Sequence, residues 1–195
     1  MQSLKEFYKI GNGPSSSHTM GPKRAAEWFK KQNPEADKFD VYLYGSLAFT
    51  GKGHLTDKII ENTLMPTETN IIFDTEFVCE KHPNTMDLVA YKNGVEIARN
   101  RVYSVGGGTI EVEGEASVTI PNIYKLTTFK DIREYCVNNN KELCDYVYET
   151  EDADFKEFLK EVWEAMKASI KLGLETDGLI PGKLNIKRRA KAIFE

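Results

Sequence analysis

The sequence predicts an α+β protein: a mixed or antiparallel sheet with helices packed on it, followed by C-terminal helices. Three observations predict it. Apolar residues alternate with polar ones in short stretches, as in Phe39-Asp40-Val41-Tyr42-Leu43-Tyr44, which is the period of a strand with one buried face. Between them lie segments with helical spacing, such as Ala25, Ala26 and Phe29. Beyond about residue 150 the alternation disappears, and Phe155, Phe158, Leu159, Val162, Met166 and Ile170 fall on one helical stripe with charges opposite.

The elements follow in order. Gly11-Asn12-Gly13-Pro14-Ser15-Ser16-Ser17 has loop composition and ends an opening segment of 17 residues. A helix is expected from about Thr19 to Lys31, with Pro22 in its first turn and Pro34 beyond its end. The strand over residues 39–44 stops at Gly45, and Ser46 to Gly53 reads as a loop containing Gly51 and Gly53. A second helix is expected from about Thr56 to Asn62, with Ile59 and Ile60 inward. Asn70 to Cys79 is β-rich. Met86–Tyr91 and Val95–Ser104 form a hairpin across Lys92-Asn93-Gly94. Gly106-Gly107-Gly108 interrupts, and Thr109 to Val112 resumes as strand. Thr128 caps a helix running to Asn138. The long apolar stripe is packing surface, capped by Asp152 or Asp154 and stopped at Gly173. A break at Gly178-Leu179-Ile180-Pro181-Gly182 precedes a basic helix carrying Lys187, Arg188 and Arg189.

Composition narrows the function classes. The chain has 195 residues, 41% hydrophobic and 29% charged, enough to bury a core without disulfides or metals. The net charge of −4 speaks against nucleic acid as a partner, because phosphate binding wants a basic surface. No apolar run approaches the roughly 18 residues of a membrane helix, and the first residues carry no apolar stretch of a signal peptide. The expectation is a cytoplasmic protein without membrane contact. Cys79, Cys136 and Cys144 are odd in number and widely spaced, so they read as buried or half-buried free thiols rather than as a disulfide framework or metal motif.

Three segments carry chemistry. In Ser15-Ser16-Ser17-His18-Thr19, successive hydroxyls stand before a helix, where they cap free N–H groups or, together with them, form an anion site for a carboxylate or phosphate. In Gly45-Ser46-Leu47-Ala48-Phe49-Thr50-Gly51-Lys52-Gly53-His54-Leu55-Thr56-Asp57, a Gly-rich loop leads from a strand to a helix. Gly51-Lys52-Gly53 is not the Walker pattern. His54 is more informative: the carboxylate of Asp57 either orients the imidazole, as a general base requires, or caps the helix. In Ser104-Val105-Gly106-Gly107-Gly108-Thr109, three glycines permit positive φ, serving either close approach of a ligand or a bulge or sharp turn. The chain has neither a Gly-x-Ser-x-Gly elbow nor a dinucleotide fingerprint. The residues by themselves describe a polar, histidine-bearing loop cluster suited to a small anionic ligand.

Taken together, the motifs resemble one family. Phe7-Tyr8-Lys9-Ile10-Gly11-Asn12-Gly13-Pro14-Ser15-Ser16-Ser17-His18-Thr19-Met20-Gly21-Pro22 is similar to the opening of the bacterial iron–sulfur L-serine dehydratases (L-serine ammonia-lyases). Tyr42-Leu43-Tyr44-Gly45-Ser46-Leu47 with Thr50-Gly51-Lys52-Gly53-His54 and Thr56-Asp57 resembles their second signature; His82-Pro83-Asn84-Thr85-Met86 and Tyr103-Ser104-Val105-Gly106-Gly107-Gly108 resemble two more. The resemblance implies a β domain, akin to the allosteric substrate-binding domain of some phosphoglycerate dehydrogenases, over residues 1–150. It implies linker helices and the start of a helical catalytic α domain over residues 151–195, and hence an N-terminal piece of a single-chain enzyme. It further implies a 4Fe-4S cluster whose ligands lie in the rest of that α domain and not in this chain, a homodimer, and L-serine as substrate.

The implied reaction is β-elimination to pyruvate and ammonia, with the cluster iron as Lewis acid toward the serine hydroxyl. His54 is then the Cα base, with His18 assisting in substrate binding or proton transfer. Ser15, Ser16, Ser17 and Thr19 hold the substrate carboxylate, and Ser46, Lys52, Thr56, Asp57, Gly106, Gly107 and Gly108 complete the substrate site. His82 orders its turn with Pro83. The competing expectations are a regulatory module that binds serine or another small carboxylate without catalysis, and an unrelated anion-binding domain.

Overall fold

The computed structural model describes residues 1–116, 120–180 and 185–195. They fall into two compact units, Gly11–Ser117 and a second made of Met1–Ile10 with Val118–Glu195. The architecture is mixed α and β, with an open five-stranded sheet that is not closed into a barrel.

In the unit Gly11–Ser117 the helix α1 (Gly21–Gln32) precedes strand β1 (Lys38–Tyr44). Two helices, α2 (Gly45–Thr50) and α3 (Thr56–Leu64), then lead to β2 (Glu68–Asp74). Three antiparallel strands follow: β3 (Thr85–Lys92), β4 (Val95–Gly106) and β5 (Thr109–Val112). The sheet order is β2-β1-β3-β4-β5, and β1 and β2 are parallel. A parallel pair needs a crossover, and α2 with α3 supplies it. Strand periodicity puts Phe39, Val41, Leu43, Met86, Leu88, Ala90 and Val102 on one face, where they meet Ala25, Ala26 and Phe29 of α1, Leu47 of α2, and Ile60 and Leu64 of α3, all at most 1% exposed. The other face is held by polar pairing. Arg101 donates from Nε and Nη2 to the two oxygens of Asp87 at 2.7 and 2.8 Å, and the Tyr44 hydroxyl donates to the same carboxylate at 3.1 Å. Burial, with the adjacent Asp87 charge, pushes the Tyr44 phenol up to about 12.

The expected hairpin is present. Asn93 and Gly94 both have positive φ, 51° and 77°, as a two-residue turn between twisted strands requires. Two expectations need correction. Residues Gly45–Thr50 form helix α2 rather than a loop, because Leu47 and Ala48 are buried against the sheet and outweigh the flanking glycines. The strand expected over 70–79 ends at Asp74, whose Oδ1 accepts the amides of Glu76 and Phe77 at 3.0 and 2.9 Å and turns the chain; Phe77 and Val78 are exposed.

The second unit holds α4 (Phe129–Asn138), α5 (Leu143–Thr150), α6 (Phe155–Glu175) and α7 (Ala190–Phe194); α4 and α5 give Cys136 and Tyr146 to a small core with Tyr124, and Phe155 and Val162 of α6 are buried as well. Thr128 caps α4 as expected, its hydroxyl accepting the Asp131 amide at 3.2 Å. Helix α5, which the sequence reading did not include, starts with a capping box between Glu142 and Asp145. The buried Glu151 accepts from Ser3 Oγ at 2.6 Å, Leu4 N at 2.8 Å and Tyr124 O–H at 2.6 Å, fixing the N-terminal residues in this unit. Asp154 occupies the cap position of α6 without capping it; its carboxylate pairs with Lys5 instead. Gly173 lies inside α6, which continues to Glu175, so a single glycine in an exposed turn is tolerated. Lys187, Arg188 and Arg189 precede α7 rather than ride on it, and Leu179 bridges to Lys187. Pro181 and Gly182 of the expected break lie outside the described residues. Cys136 is buried and Cys79 half-buried, but Cys144 is exposed, against expectation, because its face of α5 turns away from the small core. Among the described residues no helix is long and apolar enough to cross a membrane.

Candidate functional site

The site grows from an irregular helix start. Residues Ser16–Met20 form one π-helical turn that runs directly into α1. Thr19 fastens it: its hydroxyl donates to Asn12 O at 2.5 Å and to Ser15 O, while its amide bonds Ser15 O at 2.8 Å. The amides at the head of such a run have no partner within it and carry the positive end of the helix dipole. Two fully buried hydroxyls support the turn from below. Ser104 Oγ donates to Ser17 O at 2.8 Å, and Thr56 Oγ1 donates to His18 O at 2.7 Å.

His18 is buried, 8% exposed, and its ring is bracketed by hydroxyls. Nδ1 lies 2.9 Å from Ser17 Oγ and 3.4 Å from Ser15 Oγ, and Nε2 lies 3.1 Å from Ser46 Oγ. His54 is half-buried beside it, with ring centroids 4.6 Å apart and planes tilted by 34°. Burial, and then the charge of His54, hold the His18 imidazole below its ordinary pKa, against a bond from Ser46 that raises it. His54 Nδ1 lies 3.0 Å from the carbonyl oxygen of Thr50. A carbonyl only accepts, so Nδ1 carries a proton, and when the ring is neutral its lone pair is on Nε2.

Backbone conformation sets this geometry. The Thr50–Thr56 turn folds back on itself, with His54 N and Thr56 N both bonded to Gly51 O. Leu55 pays with a left-handed φ of 60°, the kind of strain found beside functional groups. Gly45 has φ 53°, and a Cβ there would stand 2.5 Å from Pro83 O, so only glycine lets the His82-Pro83-Asn84 loop approach. In that loop His82 Nδ1 accepts the Asn84 amide at 3.0 Å.

The structure thus gathers Ser15, Ser17, His18, Thr19, Ser46, His54 and Thr56, and Ser16 heads the turn without a side-chain bond of its own. It does not gather the rest. Lys52 is exposed, with Nζ 5.0 Å from the Phe73 ring centre. Asp57 neither orients His54 nor caps α3 across its first turn; its Oδ1 accepts the amide of Lys58 at 2.9 Å. Gly106, Gly107 and Gly108 have φ of 107°, 58° and 73°; Gly106 ends β4 opposite Thr109, and Gly107 and Gly108 form the β4–β5 turn. Arg24 Nη1 donates to Gly108 O at 2.8 Å there.

Two residues of the quoted motifs are not among the expected site residues. Ser104 was hidden by the glycines that follow it. Asn84 has a buried Oδ1 that finds no hydrogen-bond partner among the described residues, an acceptor left open beside the site's loops. Two grooves of this unit, about 560 and 500 Å³, are lined by residues of α1 and α3 including Lys23 and Lys31 and by residues including Asp40 and Tyr91; neither is lined by a histidine. As for a cluster, among the described residues no three His, Cys, Asp or Glu side chains gather to hold a metal. Cys79 lies in one unit, and Cys136 and Cys144 in the other. These thiols do not fit a 4Fe-4S group.

Fold and site define a class: an open-sheet α+β domain with a hydroxyl-rich helix start beside a histidine pair. The family model described as serine dehydratase beta chain matches residues 3–69 and 61–115, and the chain belongs to that family. Similar curated proteins include an L-serine dehydratase of Haemophilus influenzae, 31% identical over 100% of this chain and 54% of that protein. L-serine dehydratase 2 of Escherichia coli is 29% identical over 99% and 53%, and an L-serine dehydratase of Streptomyces coelicolor is 28% identical over 96% and 53%. The chain spans about half the length of the curated relatives it matches.

Proposed function

We propose that this chain is the substrate-binding β part of an L-serine ammonia-lyase. The observation that carries this reading is the His54 tautomer: Nδ1 is committed to Thr50 O, which leaves Nε2 as a base beside a turn that suits a carboxylate. In this reading the Ser15–Thr19 turn binds the serine carboxylate through amides and hydroxyls, and the buried, neutral His18 relays between Ser17 and Ser46. His54 Nε2 takes the Cα proton. The β-hydroxyl leaves as water, and the aminoacrylate takes up water to give pyruvate and ammonia. A 4Fe-4S cluster, whose Lewis acidity suits the departing hydroxyl, belongs to a helical catalytic domain outside this chain. The same reading makes the protein a cytoplasmic homodimer.

The test is His54→Ala in the full-length, cluster-reconstituted enzyme. Turnover is expected to fall at least about a thousandfold with cluster content intact, the size of effect general bases supply. Survival of turnover rejects the base. Serine binding by the 195-residue chain without turnover in any full-length form supports a regulatory carboxylate-binding module instead. The 195-residue chain alone is expected to form no pyruvate.

A further inference from the structure

The helix start is irregular for a reason that can be read from its hydrogen bonds. The Gly21 amide donates to Ser16 O, five residues back. The next residue, Pro22, has no N–H to give. The carbonyl of Ser17, five residues before Pro22, and that of His18, four before it, therefore lose the donors that a π or α register would provide. Buried carbonyls need partners. Hydroxyls from elsewhere in the fold take the place of the missing amides: Ser104 Oγ on Ser17 O at 2.8 Å and Thr56 Oγ1 on His18 O at 2.7 Å. Ser104 is fully buried, and its own amide bonds Asn84 O at 2.9 Å, so it is fixed to the His82–Asn84 loop as well. A Cβ on Gly21 would collide with the Ser104 hydroxyl and stand 2.8 Å from its Cβ, so the helix start is seated directly on this side chain.

We propose that Ser104 is a positioning residue: its hydroxyl replaces the N–H that Pro22 lacks and keeps the Ser16–Met20 turn in the register that aims Ser17 and His18 at the substrate. This rests on the serine-lyase reading of the same turn. Without the hydroxyl, the carbonyl of the half-buried Ser17 loses its side-chain donor, and the turn relaxes toward another register. With alanine at position 22 the backbone regains a donor, and Ser104 is no longer needed for stability, yet the regular turn points Ser17 and His18 elsewhere.

A double-mutant cycle separates positioning from support. Melting is followed on the 195-residue chain, and kcat and KM for L-serine on the cluster-loaded full-length enzyme. Ser104→Ala is expected to lower the melting temperature by about 3 °C, the loss of one part-buried hydrogen bond in a chain of this size, and to raise KM about tenfold with kcat changed less. In the Pro22→Ala background the same substitution is expected to cost less than half that melting shift, while KM stays raised. Additive melting shifts overturn the register argument, and a double variant with wild-type KM overturns the positioning role. The melting cycle does not depend on serine chemistry. Coupled melting shifts with a KM that never responds leave the register in place and reject the assignment of the turn to serine.

Discussion

The two units solve the problem of stability differently. Gly11–Ser117 buries large side chains completely, with Phe29, Phe39, Leu43, Leu47, Ile60, Leu64, Met86 and Leu88 at most 1% exposed in one continuous cluster. In the unit of Met1–Ile10 and Val118–Glu195 the described buried apolar side chains are fewer: a small cluster of Tyr124, Cys136 and Tyr146, each still 6–8% exposed, with Phe155 at 1% and Val162 at 7% on α6. Its order comes from polar clamps, Glu151 above all, and it leaves Trp163, Met166, Ile170, Ile193 and Phe194 on the surface. A closed core lets the first unit hold a strained, polar site such as Leu55 and the Ser16–Met20 turn. The second has no such reserve.

The comparison is broken most directly by cavities. Leu88→Ala, at a fully buried position in the central strand β3, is expected to destabilise Gly11–Ser117 by about 3 kcal/mol in denaturant titrations, the usual loss for a leucine side chain deleted from a closed core. A loss below about 1 kcal/mol would mean that the two cores are equally loose.

Next in size is the clamp. Glu151→Ala strands the Tyr124 hydroxyl, the Ser3 hydroxyl and the Leu4 amide, and is expected to cost about 2 kcal/mol in the helical unit, with Glu151→Gln recovering part of it. Amide exchange at Leu4 and at Ile123, whose N–H bonds Met1 O, reports it directly. Unchanged protection of both amides would remove the polar clamp from the account.

How far the sequence carried this picture follows the same divide. Local signals were legible: Asn93-Gly94 announced its turn, Pro22 its helix start, and Thr128 its cap. Signals that depend on distant partners were not. Leu47 and Ala48 make Gly45–Thr50 helical only because a sheet lies beneath them, and glycine content alone suggested a loop. The Met1–Ile10 segment joins the helical unit through Glu151, some 147 residues away, which no local pattern could reveal. At the site, the serines and histidines were visible as residue types. The partners that orient them were not: Thr50 O for His54, Ser104 for Ser17, and Ser46 for His18. Asp57, near His54 in sequence, looked like its orienting group, and a backbone carbonyl took that role.

A smaller effect sharpens the contrast through pH. All three histidines lie in Gly11–Ser117, and the other unit has none. His18 is held below its ordinary value of 6.5 by burial and by the charge of His54. Below 6.5 the unfolded chain therefore binds a proton that the folded one resists, and stability falls with pH. This contribution is complete above pH 6.5 and is lost progressively beneath it. Melting of the Gly11–Ser117 unit is expected to decline as pH drops from 6.5, and His18→Gln is expected to flatten the decline. An unaltered slope in that variant would detach the pH response from His18.

The smallest expected effect concerns the stripe on α6. Trp163 is 54% exposed, and Met166 and Ile170 beside it on the same face are 43% and 58% exposed, with Lys167 Nζ 5.7 Å from the indole centre. A half-exposed side chain gives up little when it is removed, because little of its surface left water on folding. Trp163→Ser is therefore expected to change stability by no more than about 0.5 kcal/mol, against about 3 kcal/mol for Leu88→Ala. Chemical denaturation at two protein concentrations tenfold apart checks it. A small, concentration-independent shift keeps the helical unit's stability in its clamps. A loss near 2 kcal/mol that appears only at the higher concentration would show that a second copy covers the stripe in solution, and the contrast between a closed core and an open one would then belong to the monomer alone.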